Sequence, residues 1–163
     1  MTNFFLGLAR GPIDHQSSSV INSIANGAIE MGSVVKLADP SASELLPRVT
    51  ETTGDDNIPY GIAVGGDTDG IYSTTGAASG DDSTLATESA GQGVVVVTQG
   101  RCLARADIAS GGIAIGAKLA PSGNNGILEL AGAGDEIIAI ALQPVVGNTD
   151  IIAVDVQREG ESP

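Results

Sequence analysis

Residues 91–100 read GQGVVVVTQG, and this stretch decides the fold class. Its four consecutive valines are β-branched residues that suit an extended strand, while glycines at both ends mark turns. A continuous apolar run without polar alternation predicts a strand that is buried on both faces. Residues 101–106 (RCLARA) follow directly across Gly100 as a further strand. The stretch therefore predicts the central strand of an all-β protein.

Short apolar runs separated by turn residues continue on both sides of this strand. They occupy residues 34–38, 46–49, 60–64, 118–120, 127–130, 137–142 and 151–157. The Gly, Pro, Asn and Asp residues between them supply the dihedral angles of tight turns. Roughly ten strands at this spacing are typical of a compact β-barrel or β-sandwich.

A weak internal repeat accompanies the strand pattern. Residues 36–38 and residues 118–120 both read KLA, and a Pro-containing turn follows each. With a four-residue gap, residues 61–64 (GIAV) then fall opposite residues 139–142 (AIAL). Two copies of one unit would make a pseudo-symmetric β-domain, and chance similarity in a chain rich in Ala, Ile and Gly is the alternative.

The composition limits the partners of the chain. Its 163 residues suit one domain, and 20 acidic against 7 basic side chains leave a net charge of −13. Phosphate binding needs clustered Lys and Arg, so nucleic acid and anionic membrane surfaces are not expected partners. No stretch approaches the ~18 apolar residues of a membrane span. The acidic excess suits a protein kept soluble in concentrated salt, and an ordinary acidic particle-surface protein fits it equally well.

The aromatic residues divide the chain into an arm and a domain. Aromatics are 2% of the residues, and both phenylalanines stand among the first eight positions. We expect residues 1–30 to form an N-terminal arm and linker, and residues 31–160 to form the β-domain. Residues 65–92, rich in Gly, Ser, Thr and Asp, are expected to be an exposed excursion. The arm either buries its aromatics against a partner or folds back as an edge strand or cap.

Catalytic residues are not recognisable. The single histidine, His15, lies in the polar linker, and Cys102 lies in a predicted core strand, so the two do not form a nucleophile and base. Burial as a small hydrophobic residue is the preferred interpretation of Cys102. The many carboxylates are interpreted as solvated loop residues. The sequence predicts no enzyme activity and no cofactor.

A metal site has one weak candidate. Asp67 and Asp69 precede Gly70 as in the start of a calcium loop, but Ala78 stands where such a loop requires a glutamate. Asp67 and Asp69 alone therefore do not predict specific calcium binding. A secreted or surface-layer β-module that binds glycans or cations through residues 65–92 remains the alternative function. Calorimetry of the purified protein with Ca²⁺ and with glycans tests this alternative.

Several of these stretches together resemble the head decoration proteins of tailed viruses, which are also called capsid cement proteins. The stretches that carry the likeness are residues 28–37 (AIEMGSVVKL), 58–66 (IPYGIAVGG), 91–100 (GQGVVVVTQG), 114–119 (AIGAKL), 138–142 (IAIAL) and 152–156 (IAVDV). The likeness spans most of residues 28–158. It rests on strand and turn patterns without a catalytic signature, and the excursion departs from the shorter members of the family.

The resemblance implies a structural protein of the virion with a β-tulip-like domain. Such a protein decorates and stabilises the outer surface of an icosahedral capsid, assembled in the host cytoplasm, by clamping subunits of the major capsid protein. It implies a homotrimer. The apolar side chains of the arm, Phe4, Phe5, Leu6 and Leu8, are the residues expected to bind the capsid, because strand addition and side-chain pockets together give affinity and register.

Overall fold

The structure, a computed structural model, describes residues 19–39, 45–53, 58–66, 87–107, 112–123, 126–145 and 150–161. These residues form strands, turns and bends, and no helix occurs among them. The strands are β1 (Ser19–Ala25), β2 (Ile29–Glu30), β3 (Val34–Leu37), β4 (Arg48–Glu51), β5 (Gly61–Gly66), β6 (Thr87–Glu88), β7 (Gly93–Ala106), β8 (Lys118–Pro121), β9 (Leu128–Leu130), β10 (Glu136–Ala141) and β11 (Asp150–Glu161). The prediction of an all-β fold is confirmed.

The first five-stranded ring, barrel one, consists of β1, β4, β3, β5 and the first half of β7. Strand β1 runs parallel to β4, and the other neighbours in the ring are antiparallel. The ring closes where β1 pairs with β7, for example at Asn22 and Val95. Closure leaves no free edge between these strands, which removes the hydrogen-bonding groups of an open sheet edge from solvent.

A second ring, barrel two, consists of the second half of β7 with β9, β8, β10 and β11. Here β7 runs parallel to β9 and the other neighbours are antiparallel. The pair Ala106 and Leu128 closes this ring. Strand β7 is therefore shared: its residues up to Gln99 pair with β1, and its residues from Gly100 pair with β11. Gly100 has a φ of 99°, a conformation that glycine adopts without strain.

The two barrels repeat one topology. In both, the first strand is parallel to the third, and the remaining pairs have the same order and direction. The short pair β2 and β6 in the first half corresponds to an antiparallel bridge between Ile113 and Val145 in the second. The internal repeat that the sequence suggested is present in the strand pairing.

The register shows how the two repeats align. Val34 pairs with Ile62, and Lys118 pairs with Ile140. Val49 pairs with both Ala25 and Leu37, as Leu128 pairs with both Ala106 and Pro121, so Val34 and Lys118 are equivalent. Their partners Ile62 and Ile140 are therefore equivalent, as the sequence alignment of residues 61–64 with 139–142 predicted. Lys118, however, takes the place of Val34 and not that of Lys36, so the alignment of the two KLA stretches was wrong by two residues. The similarity of short apolar strings does not fix register, because alternate residues of a strand share one face.

The apolar core lies on both sides of β7. Val94 and Val96 are buried with Val35, Val49 and Ala63 inside barrel one. Val97 belongs to a second cluster that contains Cys102 and the interior residues of barrel two. The prediction that the valine run is buried on both faces is confirmed for Val94, Val96 and Val97, because β7 has packed side chains on each side, while Val95 is only partly buried.

The predicted division of the chain at residue 30 does not coincide with the barrel. Ser19–Ala25 is strand β1, which pairs with both β4 and β7, and Ile29 pairs with Glu88 of β6. Strands β1 and β2 therefore belong to the β-domain and not to a linker, because main-chain pairing on two sides holds β1 in the ring. Residues 1–18, and residues 67–86 of the excursion, lie outside the described residues.

Candidate functional site

Four polar side chains meet where the two barrels join, and we call them the junction cluster: Glu30, Ser33, Glu51 and Arg105. A guanidinium nitrogen of Arg105, Nη1, lies 3.0 Å from Oε2 of Glu30 and donates to Oγ of Ser33 at 3.1 Å. The Ser33 hydroxyl donates to Oε1 of Glu51 at 3.0 Å, and that oxygen also accepts from the backbone N–H of Glu30 at 2.7 Å. The cluster therefore links β2, the turn after it, β4 and β7.

The junction cluster is suited to holding the barrels together. Main-chain bonds surround it: the N–H of Arg105 donates to the carbonyl of Gly32 at 2.8 Å, and the N–H of Val34 donates to the carbonyl of Gly126 at 2.7 Å. Only 13% of the Arg105 side chain is exposed, and its Nε lies buried without a hydrogen-bond partner among the described residues. A charge-assisted network in such a setting orients the elements that carry it.

Sequence reasoning missed this cluster. Ser33 and Arg105 are 72 residues apart, and Ser33 and Glu51 are 18 apart, so no local spacing connects them. Each residue by itself is an ordinary polar position in a strand or turn. The one available signal was the internal repeat, because it predicts that the two halves must share an interface somewhere.

The structure brings no metal-binding cluster together among the described residues. No group of three or more His, Cys, Asp or Glu side chains that could hold a metal ion occurs within the described ranges. The weak calcium candidates Asp67 and Asp69 lie outside those ranges, as does His15. In the part of the chain that the structure describes, no helix is long and apolar enough to cross a membrane.

Exposed apolar side chains gather at one end of barrel one, and we call this group the apolar end: Leu37, Leu46 and Ile58. Their exposed fractions are 55%, 44% and 72%. They share one end because β3 is antiparallel to both β4 and β5, so that β3 ends where the other two begin. Strand β1 is parallel to β4 and therefore also begins at this end, at Ser19. The predicted capsid-binding residues Phe4, Phe5, Leu6 and Leu8 precede Ser19 and lie outside the described residues.

Cys102 is an interior residue of barrel two. Its side chain is fully buried in the apolar cluster with Ala104 and Val154. Burial, and to a lesser extent the charge of Asp155, raise the pKa of the thiol well above its ordinary value of 9.0. The thiol is a structural hydrophobic group in the folded protein, as the sequence predicted, because the thiolate is the reactive species and burial disfavours it.

This burial predicts a pH dependence of stability. The thiol ionises above about pH 9 in the unfolded chain but stays protonated in the folded protein, so the folded state binds one more proton there. The free energy of unfolding should therefore fall by about 1.4 kcal/mol per pH unit above pH 9 relative to a Cys102→Ala variant. Urea unfolding of both proteins between pH 8 and pH 10.5 measures this difference. Parallel pH profiles for the two proteins would contradict the assignment.

The fold defines a class of protein: two closed five-stranded barrels that share one long strand. Among solved structures, the chain is similar to the N base of head fiber gp8.5 of bacteriophage phi29, with a TM-score of 0.50 and 9% sequence identity. The match covers 90% of this chain and 98% of that one, so it includes both barrels and not one alone. No protein-family profile and no curated protein sequence matches the chain. The likeness is one of fold.

Proposed function

We propose that this chain is a structural protein of a tailed-virus head. It decorates the outer surface of the capsid as a homotrimer, clamps subunits of the major capsid protein, and has no catalytic activity. Assembly takes place in the host cytoplasm, and neither nucleic acid nor a membrane is a partner. The fold likeness to the base of a phage head fiber supports this proposal, as do the resemblance of the strand sequences to head decoration proteins and the net charge of −13.

The observation that carries the proposal is that the described chain begins at the end of barrel one where the exposed apolar side chains lie. Ser19, where the described chain begins, lies at the same end of barrel one as Leu37, Leu46 and Ile58. Grouped exposed apolar side chains are typical of a protein-binding surface. We assign this end to the capsid, with Phe4, Phe5, Leu6 and Leu8 as the anchors of the arm.

The test measures binding to capsids that lack the protein. Deleting residues 1–12, or combining Leu37→Asp with Ile58→Asp, should reduce the affinity for such capsids by at least about tenfold, since one buried Leu or Ile contributes about 1.5–3 kcal/mol. Co-sedimentation of the purified protein with capsids, followed by quantification of the bound copies, gives the affinity.

A matched control adds the same charges elsewhere. Thr53 and Thr87 are exposed, and Thr53 follows β4 at the opposite end of barrel one. Combining Thr53→Asp with Thr87→Asp should therefore leave binding unchanged. Unaltered occupancy for both the deletion and the apolar-end variant would refute the assignment of this end to the capsid.

A further inference from the structure

The two barrels contribute different surfaces to the contact between them. The turn at Gly32 of barrel one packs on β7 and β11 of barrel two: a Cβ at Gly32 would lie 3.1 Å from Cγ of Arg105 and 3.3 Å from Cδ1 of Ile151. Met31 in this turn is fully buried in the barrel-one cluster, against which Leu103 and Ile151 of barrel two pack. Barrel one thus presents a turn to the outer side of β7. Its Val34, Ile62 and Val97 also pack in the cluster that contains the barrel-two interior.

Among the described residues, nothing packs on the equivalent turn of barrel two as barrel two packs on the turn at Gly32. Gly116 has a φ of 83° against 85° for Gly32, and its N–H donates to Ala141 at 2.8 Å as that of Gly32 donates to Ala63 at 2.7 Å. Around Gly116, however, nothing lies within 4 Å of a Cβ position. Ile115, in the place of Met31, is 68% exposed. The turn at Ile115 and Gly116 therefore repeats the backbone of the turn at Met31 and Gly32 in barrel one, but its apolar side chain is exposed.

The exposed turn carries apolar residues where the occupied one carries charge. Register places Leu130 at the position of Glu51, because Leu119 pairs with Leu130 as Val35 pairs with Glu51. Leu130 is 48% exposed. Lys118 and Asp155 stand in the places of Val34 and Val97, so charged groups border the apolar ones. An apolar centre with a polar margin is typical of surfaces that join separately folded subunits.

Barrel one has a surface equivalent to the outer side of β7, and we call its residues Asn22 and Ile24 the β1 face; no other described element is seen to cover it. Ala25 pairs with Val49 as Ala106 pairs with Leu128, so Ile24 is equivalent to Arg105 and Asn22 to Leu103. Asn22 is exposed and Ile24 is half-buried. The N–H of Ile24 already donates to the carbonyl of Pro47 at 2.9 Å, so a partner would contact this β1 face through side chains.

We propose that the turn surface of barrel two, at Ile115 and Leu130, binds the β1 face of a second copy of this chain. The contact repeats between copies the packing that joins the barrels within one copy. Since it uses a different surface on each partner, it is heterologous and closes into a ring when the rotation permits. The inference deepens the proposed function by naming the surfaces that would join the trimer, and its test in solution uses no capsids.

The experiment uses one variant for each surface. Ile115→Arg blocks the turn surface, Asn22→Arg blocks the β1 face, and Thr53→Arg, at an exposed position outside both surfaces, is the control with the same added charge. Sedimentation velocity should show an oligomer of the 16.2 kDa chain for the wild type and the control, and single chains for each blocked variant. An equimolar mixture of the two blocked variants retains one intact turn surface and one intact β1 face. It should form dimers and nothing larger.

Three results would overturn the inference. These are a wild type that sediments as single chains at ~100 µM, an oligomer that survives Ile115→Arg, and a mixture of the two variants that forms no dimer. Because Ile115 and Asn22 are exposed, both variants should keep the circular dichroism spectrum of the wild type. Asn22→Glu repeats the β1 block with the opposite charge and separates a steric effect from an electrostatic one. Loss of capsid binding without a change in oligomer size would count against the capsid assignment and not against this contact.

Discussion

Replacing Gly61 with alanine is expected to lower the free energy of unfolding by about 3 kcal/mol. A Cβ at this position would lie 2.5 Å from the carbonyl oxygen of Val97 and 2.6 Å from Cγ1 of Val96. One of these atoms is backbone and the other belongs to a stiff β-branched side chain, so β5 itself would have to move away from β7. In a closed ring that movement also disturbs the pairing of Gly61 with Val35. Denaturant unfolding followed by circular dichroism measures the loss.

The same substitution at Gly27 is the control. A Cβ there has no described atom within 4 Å, and the residue does not need a positive φ. We therefore expect Gly27→Ala to change the stability by no more than about 0.5 kcal/mol. Equal effects at the two glycines would mean that the close approach of β5 and β7 does not limit the residue at position 61.

Replacing Arg105 with methionine is expected to lower the free energy of unfolding, measured by denaturant unfolding, by about 2 kcal/mol. Methionine keeps much of the apolar stem but removes the only cation of the junction cluster, which leaves Glu30 and Glu51 close together without it. Breaking a fully buried ion pair costs about 3–5 kcal/mol, and the 39% exposure of the Glu30 side chain reduces that cost through solvent screening. Because the cluster spans both barrels, the variant should also unfold less cooperatively.

Two further proteins make this measurement specific. Arg101→Met removes the same charge from an exposed site on the same strand and should change stability little. Combining Arg105→Met with Glu30→Gln should cost less than the sum of the two single changes, because the double variant no longer holds the unpaired carboxylate. Strict additivity, or an equal loss for Arg101→Met, would contradict a role of the cluster in joining the barrels.

Local pattern was sufficient for the strands but not for their partners. The valine run of β7 and the short runs around it identified most strands within two or three residues, since backbone preference and turn residues act over a few positions. Strand β1 was missed because its sequence, SVINSIA, mixes polar and apolar residues, and pairing with β4 and β7 overrides that weak pattern. The register of the repeat was half correct for the same reason, as register is decided across strands and not along them.

The candidate surfaces also depend partly on local sequence and partly on tertiary contacts. The sequence by itself determined an acidic all-β chain with a buried valine strand and a buried cysteine, because composition and short-range periodicity carry that information. Only the tertiary structure decided that β7 belongs to two barrels, that Arg105 lies between Glu30 and Ser33, and that the turn at Gly116 is open where the turn at Gly32 is filled. Those contacts join residues far apart in the chain, so they stabilise the protein only once the two rings have closed.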